Sequence, residues 1–478
     1  MSKNKLPIVA IVGRANVGKS TLFNNVLRRR ETIVAQEAGT TRDSIMAKAS
    51  VFVEASSLQD KPKSISRTDK HRGSSEKVRQ DFWLVDTAGV KDAEDDFEFT
   101  IQDQIVQAAD SADVIWVVID ATTITTEEDR RVAKTALKSK KPVILVVNKM
   151  DKAAKKGIDD FRNLGIKNII LISAAQNIGI DDLLEDLVDH IPTARLNESP
   201  DKLHIAILGR PNVGKSHLFN SLAKKQQAIV ADRAGTTRDI NRSTVKYQGR
   251  EIELLDTAGI RRNGKIEVGI EKFSVLRSLS AIEQADVCLL LMDVNELNVG
   301  LDQKIAGLIK EAGKGLILVI SKWDSIDQEK TPYTRDQLAG QIRYTFDFIP
   351  WAPLVITSSV TGQNVTKLFE LATEIDQRRN KKYTTSELNR WLRKTVSMHP
   401  PAGLKNRSPK LNYIVHEDDN PIPSFKVFGS HTKFLHWSYK RYMDRKFREE
   451  YELDGTPIKF WFIEKHETHK HGTRPKDN

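Results

Sequence analysis

One cysteine in 478 residues, Cys288, leaves nothing from which a disulfide framework could be built. It sits in the apolar run VCLLLM with no local histidine or basic partner, which makes it a small buried hydrophobe rather than a nucleophile. Long hydrophobic runs are also missing. No stretch has the length to span a bilayer, and the opening MSKNKLPIVAIVG lacks the apolar segment of an export signal. These absences predict a cytoplasmic protein with no membrane partner. With 39% hydrophobic and 29% charged residues, global disorder is excluded as well. An excess of one charge sign is nearly absent until late in the chain. From Arg379 onward there are 21 Lys/Arg against 12 Asp/Glu, whereas everything before it balances at 54 against 52. The net charge of +11 therefore belongs mainly to the C-terminal stretch, as expected of a surface that faces nucleic acid.

The chain is too long for one core, and about 150 residues per domain gives roughly three domains. What it does contain is a repeat. GRANVGKS (13–20) returns as GRPNVGKS (209–216), each after a short apolar run and before a helical pattern. That strand–loop–helix setting separates a phosphate loop from a chance match. TTRD recurs at 40–43 and 236–239, DTAG at 86–89 and 256–259, NKMD at 148–151 as SKWD at 321–324, and ISAAQNIG (172–179) as TSSVTGQN (357–364). The offset drops from 196 to 170 between TTRD and DTAG, which places a polar insertion near 57–79 of the first copy. Lengthening a connection this much costs only about 0.8 kcal/mol of closure entropy, so it reads as a tolerated surface loop. The runs VIWVVID, VILVVNK, VCLLLMD and LILVISK predict fully buried strands alternating with helices. The predicted fold class is α/β, with mostly parallel sheets, helices on both faces and the motifs at the strands' carboxyl ends.

The motifs define a nucleotide site twice over. In the first copy the loop residues are Gly13, Arg14, Ala15, Asn16, Val17, Gly18, Lys19, Ser20 and Thr21. In the second they are Gly209, Arg210, Pro211, Asn212, Val213, Gly214, Lys215, Ser216 and His217. Backbone N–H groups of such a loop point at phosphate oxygens, and Lys19 and Lys215 reach the β- and γ-phosphates. Ser20 and Ser216 offer a hydroxyl to Mg²⁺, with Asp86 and Asp256 holding it from the ends of apolar strands. Either threonine of Thr40/Thr41 and of Thr236/Thr237 could complete the metal shell; Thr41 and Thr237 are taken as the candidates. Thr87, Ala88, Gly89 and Val90, like Thr257, Ala258, Gly259 and Ile260, follow the strand-end aspartates, and the glycine N–H can sense the γ-phosphate. Base choice falls to Asn148, Lys149, Met150 and Asp151 with Ser173 and Ala174, and to Ser321, Lys322, Trp323 and Asp324 with Ser358 and Ser359. A carboxylate accepts from guanine N1–H and N2, which adenine cannot match, so GTP/GDP is the expected ligand.

These motifs, together with TSELNRWLRKTVSMHPP, SYKRYM and LDGTPIKFWF further on, resemble the Der (EngA) family of bacterial tandem GTPases within the TrmE-Era-EngA-like group. The resemblance covers nearly the whole chain. It implies a first G domain at 1–190, a linker at 191–202, a second G domain at 203–378, a small α+β KH-like domain at 379–465 and a basic tail at 466–478. It implies a role in ribosome biogenesis, with the large subunit or its precursor as partner and the chain acting as a monomer. Val90 and Ile260 stand where other small GTPases place a water-orienting glutamine. The family resolves this with K⁺, for which Asn16 and Asn212 match the loop ligand, and this implies slow hydrolysis stimulated by K⁺. A GTP-regulated RNA-modification or membrane-associated factor is the alternative, but it would need an appended catalytic or amphipathic segment.

Departures from the family pattern are Ala15, His217, Ser321 and Ser359. Three lie in the second copy, so weaker nucleotide binding is expected there. The C-terminal part has no GxxG clamp. Its cluster KRYMDRKFR supplies Lys440, Arg441, Arg445, Lys446 and Arg448 beside Tyr439, Tyr442 and Phe447, a mix suited to RNA. The tail histidines lack zinc-site spacing.

Overall fold

Strands that are apolar at every position can only be buried on both faces, and the centre of each sheet is built from such strands. The computed structural model describes residues 6–28, 46–54, 77–86, 112–153, 156–191, 202–225, 241–256, 278–297, 300–326, 332–401, 408–417, 420 and 422–464. The first module runs β1 (Ile8–Val12), α1 (Lys19–Arg28), β2 (Met46–Glu54), β3 (Lys77–Asp86), β4 (Val114–Asp120), α2 (Glu127–Lys138), β5 (Val143–Asn148), β6 (Asn168–Leu171) and α3 (Ile180–His190). Its sheet has the order β2-β3-β1-β4-β5-β6, parallel except for β2 at the edge. Val9, Ile11, Trp116, Val118, Ile144 and Val146 share one cluster with Leu22 and Val26 of α1 and Leu183 and Leu187 of α3. The intervening residues Ile8, Ala10, Ile115 and Val117 are equally buried. By the two-residue period they face the opposite side, where α2 buries Val132, Ala133 and Ala136. Helix α2 starts at a capping box in which Thr126 and Asp129 bond each other's backbone N–H.

The second module repeats the plan with β7 (Leu203–Gly209), α4 (Lys215–Lys225), β8 (Asn241–Tyr247), β9 (Arg250–Asp256), β10 (Val287–Asp293), α5 (Gly300–Glu311), β11 (Gly315–Ser321), α6 (Pro332–Thr345), β12 (Leu354–Ile356) and α7 (Val365–Arg379). Its order, β8-β9-β7-β10-β11-β12, is that of the first sheet. The edge hairpins differ. β8 and β9 meet through Gln248–Gly249, both at positive φ as a tight hairpin turn requires, whereas residues 55–76 lie between β2 and β3. The insertion expected at 57–79 is therefore trimmed at its end: Lys77, Val78 and Arg79 are strand, paired with Glu54, Val53 and Phe52. The alternation K-V-R-Q extends the ladder, so part of the added length is hairpin rather than loop.

The C-terminal domain has α8 (Thr385–Met398), β13 (Lys410–His416), β14 (Ser424–Ser430), α9 (Trp437–Tyr451) and β15 (Lys459–Glu464). β14 pairs antiparallel with β13 and parallel with β15. Its core is aromatic. Phe425 and Phe447 lie 4.4 Å apart, and Trp391 meets Phe447 edge-on at 4.8 Å. Helix α9 turns Tyr439, Met443, Phe447 and Tyr451 inward at four-residue spacing. Tyr439 and Phe447 are therefore core residues and not the base-stacking aromatics that their basic neighbours suggested. The domain packs on the second module through Gly455, whose N–H donates to Trp351 O (2.7 Å) and whose carbonyl accepts from Leu316 N–H (2.8 Å). The half-buried Arg379 at the end of α7 donates to Gly313 O (2.8 Å) and Thr456 Oγ1 (3.2 Å).

Candidate functional site

Each phosphate loop begins where a central strand ends. At Gly13 a β-carbon would collide with the carbonyl of Val118, and at Gly209 with that of Leu291, so the chain leaves the sheet through a gap only glycine fits. Gly18 and Gly214, both at φ +98°, turn the backbone into α1 and α4. Val17 and Val213 anchor the loops in the core, while Ala15, Asn16 and Asn212 are exposed and Pro211 is half-buried. Lys19 Nζ donates to Gly13 O (2.7 Å) and Arg14 O (2.6 Å), and Lys215 Nζ to Gly209 O (2.9 Å) and Arg210 O (2.5 Å). Both ammonium groups are thus held by carbonyls of their own loops. Burial pushes Lys215 down to about 8, against the pull of Asp256.

Ser20 and Asp86, expected to share a metal, are brought together: Ser20 Oγ donates to Asp86 Oδ2 at 2.6 Å. Asp86 and Asp256 are buried at the carboxyl ends of β3 and β9, and Ser216 is exposed at the start of α4. This hard-oxygen set fits Mg²⁺ shared with a nucleotide. Thr21 and His217 are exposed on their helices. Thr40, Thr41, Thr236, Thr237, Thr87, Ala88, Gly89, Val90, Thr257, Ala258, Gly259 and Ile260 lie outside the described residues.

The residues expected to read the base converge on the same loops. Asn148 Nδ2 donates to Val17 O (2.9 Å), its Oδ1 accepts from Ala174 N–H (2.9 Å), and Asn25 Nδ2 holds Ala174 O. Asp151 is exposed, with one carboxylate oxygen fixed by Ser173 Oγ (2.7 Å); Asp324 is fixed likewise by Ser358 Oγ (2.5 Å). Met150 and Trp323 contribute backbone, donating to Ile172 O and Thr357 O, and the Trp323 ring is buried. The second site differs around Ser321: its Oγ reaches Val213 O (2.6 Å) and Met292 O (3.0 Å), and Ser359 N–H has no side-chain acceptor among the described residues.

Two supporting carboxylates were missed in the sequence. Lys149 Nζ bonds Asp120 Oδ2 (2.7 Å) as well as Asn16 O (2.9 Å), and Lys322 Nζ bonds Asp293 Oδ2 (2.6 Å). Burial opposes ionisation of Asp120, but the bonds from Lys149 and Thr122 prevail and hold its carboxyl below the usual range; Asp293 behaves alike through Lys322 and Asn295. Both aspartates end apolar strands at equivalent places in the repeat, a signal present in VIWVVID and VCLLLMD. The loop arginines also have fixed partners. Arg14 meets Asp129 (3.2 Å) and Thr123 (2.6 Å), while Arg210 meets Asp302 (3.1 Å) and Glu296 (2.8 Å). Burial pushes Asp302 up to about 6 despite Arg210 beside it.

On α9, Arg441 lies over the exposed ring of Trp437 at 4.7 Å and Lys440 over Phe462 at 5.5 Å. Arg445 and Lys446 pair with Glu449 at the surface. Arg448 points inward, bonding Asp444, Leu453 O and Thr456 O, which removes it from the exposed cations. Among the described residues no helix is long and apolar enough to cross a membrane, and no group of three His, Cys, Asp or Glu could hold a metal alone.

Comparison with known proteins places these features. A model described as 50S ribosome-binding GTPase matches residues 8–149 and 204–322, and one described as the KH-domain-like C-terminal part of EngA bacterial GTPases matches residues 382–462. The chain is similar to the GTPase Der of Herpetosiphon aurantiacus, 39% identical with 95% of each chain covered. It is also similar to that of Lachnoclostridium phytofermentans, 39% identical over 98% of this chain and 100% of the relative. The Agathobacter rectalis GTPase Der is 37% identical over 95% of this chain and 97% of its own. Two G domains with P-loops and a KH-like domain, matched along nearly the full length, show that the chain belongs to the GTPase Der family of GTP-hydrolysing enzymes.

Proposed function

We propose that the chain is a GTP-driven binding switch of ribosome biogenesis that acts in the cytoplasm, as a monomer, on the large subunit or its precursor. The observation that carries this reading is the doubled pocket: each copy unites an amide-lined phosphate loop, its lysine and a base-reading aspartate within one polypeptide. A family model described as 50S ribosome-binding GTPase supports the choice of particle. The domains are set at 1–190, 203–378 and 379–465, with 191–202 as linker and 466–478 as tail. Lys19 and Lys215 hold the β- and γ-phosphates, and Ser20 with Asp86, and Ser216 with Asp256, would hold Mg²⁺, which offsets phosphate charge when bound. Thr41, Thr237, Gly89 and Gly259 are the proposed sensors of the γ-phosphate, whose loss on hydrolysis releases the particle. The exposed cations Lys440, Arg441 and Arg445, with the half-buried Lys446, are the proposed RNA contacts.

Sedimentation through sucrose with a non-hydrolysable GTP analogue tests the reading. Comigration with large-subunit particles in the presence of the analogue, and its loss with GDP, is expected; absence from those particles with every nucleotide contradicts it. Potassium dependence is a separate expectation. Asn16 and Asn212, whose carboxamides are exposed on the phosphate loops, would hold K⁺ and so add positive charge beside the phosphates. Turnover should be faster in KCl than in NaCl of equal strength, and equal rates contradict the assignment.

A further inference from the structure

The ammonium of Lys215 is held by the carbonyl of Arg210, and the side chain of Arg210 is held in turn by two acidic residues almost a hundred positions further along the chain. The guanidinium is buried and tied at three points. Nε reaches Asp302 Oδ2 (3.1 Å), Nη1 reaches Glu296 Oε2 (2.8 Å) and Nη2 reaches Glu296 O (2.7 Å). Glu296 follows β10 and Asp302 lies in the first turn of α5. A guanidinium is a rigid fork of donors, so fixing it at three points leaves the main chain of Arg210 little room to turn. The peptide carbonyl that receives Lys215 Nζ at 2.5 Å is fixed with it.

Asp302 is 1% exposed, and its Oδ1 has no hydrogen-bond partner among the described residues. Burial pushes its carboxyl up to about 6, against the pull of Arg210 and Lys215 and with Glu296 adding to the rise. An apolar side chain of similar volume would serve stability as well as a half-satisfied buried carboxylate does. Costs of this kind concentrate at functional sites. The first copy repeats the link in a looser form. Arg14 O accepts from Lys19 Nζ (2.6 Å), while the half-buried Arg14 side chain meets Asp129 (3.2 Å) and Thr123 Oγ1 (2.6 Å). Thr123 supplies no second carboxylate, and Asp129 is shared with the N–H and hydroxyl of Thr126. We propose that Asp302, acting through Arg210, is a positioning residue of the second site: it sets the carbonyl that aims Lys215 at the phosphates beyond the first. The proposal rests on Lys215 holding the β- and γ-phosphates, so it concerns GDP and GTP but not GMP, whose single phosphate lies short of the lysine.

Titration of the full chain with GDP and with GMP tests it, using Asp151→Asn as the parent so that the second site is read. Adding Asp302→Asn should weaken GDP about 5- to 20-fold, the worth of a charged hydrogen bond, and GMP less than about twofold. Glu296→Gln withdraws the other carboxylate from the same guanidinium, and its side chain is 68% exposed, so folding is not at issue. It should weaken GDP about two- to threefold and leave GMP unchanged. Arg210→Met should weaken GDP as Asp302→Asn does, and the two together no more than the larger alone, because both break one link. Equal losses for GDP and GMP, losses that multiply in the double variant, or unchanged GDP affinity in Glu296→Gln overturn the positioning role alone. A parent chain that holds GMP as tightly as GDP overturns the placing of the phosphates on Lys215, and the positioning role with it.

Discussion

Lys149 divides its charge between a carboxylate and a backbone carbonyl, tying Asp120 at the end of one strand to Asn16 in the phosphate loop. Removing it with Lys149→Ala should cut this tie, leaving Asp120 to Thr122 alone, and lower GDP affinity at the first site about tenfold, measured by titration of the Asp324→Asn chain. Lys215 gives a pH dependence with a definite sign. Its ammonium is discouraged by burial, with a pKa of about 8, whereas bound phosphate favours the charged form. Binding at the second site must then take up a proton above that pH, so GDP affinity of the Asp151→Asn chain should fall between pH 8 and 9.5, by up to about tenfold per unit. Motif residues such as Asn148 and Asp151 were legible in the sequence because their residue types recur in a fixed order. Asp120 and Asp293 were not, since a lone strand-end aspartate has no meaning until strand register sets it beside Lys149 or Lys322. Tyr439 and Phe447 misled for the opposite reason: basic neighbours hid the four-residue spacing that buries them.

At the level of elements the strands were the easiest to read, because β4, β5, β10 and β11 are nearly continuous apolar runs that only a sheet covered on both faces explains. The edge hairpin was harder. Nothing in a polar stretch marks where a ladder stops, so Lys77–Arg79 were assigned to the insertion although they pair with β2. The turn at Gly455 gives an element-scale prediction. It sits at φ +77°, where an added β-carbon would collide with the Ile375 side chain and come within 3.5 Å of Pro353, and its N–H and C=O join the C-terminal domain to Trp351 and Leu316. Gly455→Ala should cost about 1–3 kcal/mol, seen as a lower midpoint in urea unfolding of the full chain. An unchanged midpoint would mean that this turn does not fasten the domain to the second module.

For the whole molecule, duplication organises everything else. The same strand order is laid down twice, each sheet opens into a glycine-bounded loop over its first central strand, and each base loop returns an aspartate beside it. Order along the chain was readable from spacing alone, because five motifs keep their sequence across both copies. The asymmetry was readable only in part: a serine at position 321 can be seen in the sequence, but the commitment of its one proton to the backbone requires the fold. The most direct measurement of the central claim is equilibrium dialysis of the purified chain with labelled GDP against competing ATP. Two molecules of GDP should bind per polypeptide at saturation, with Asp151→Asn and Asp324→Asn each removing one and ATP displacing neither. A single GDP per polypeptide, or displacement by ATP at comparable concentration, would contradict the account.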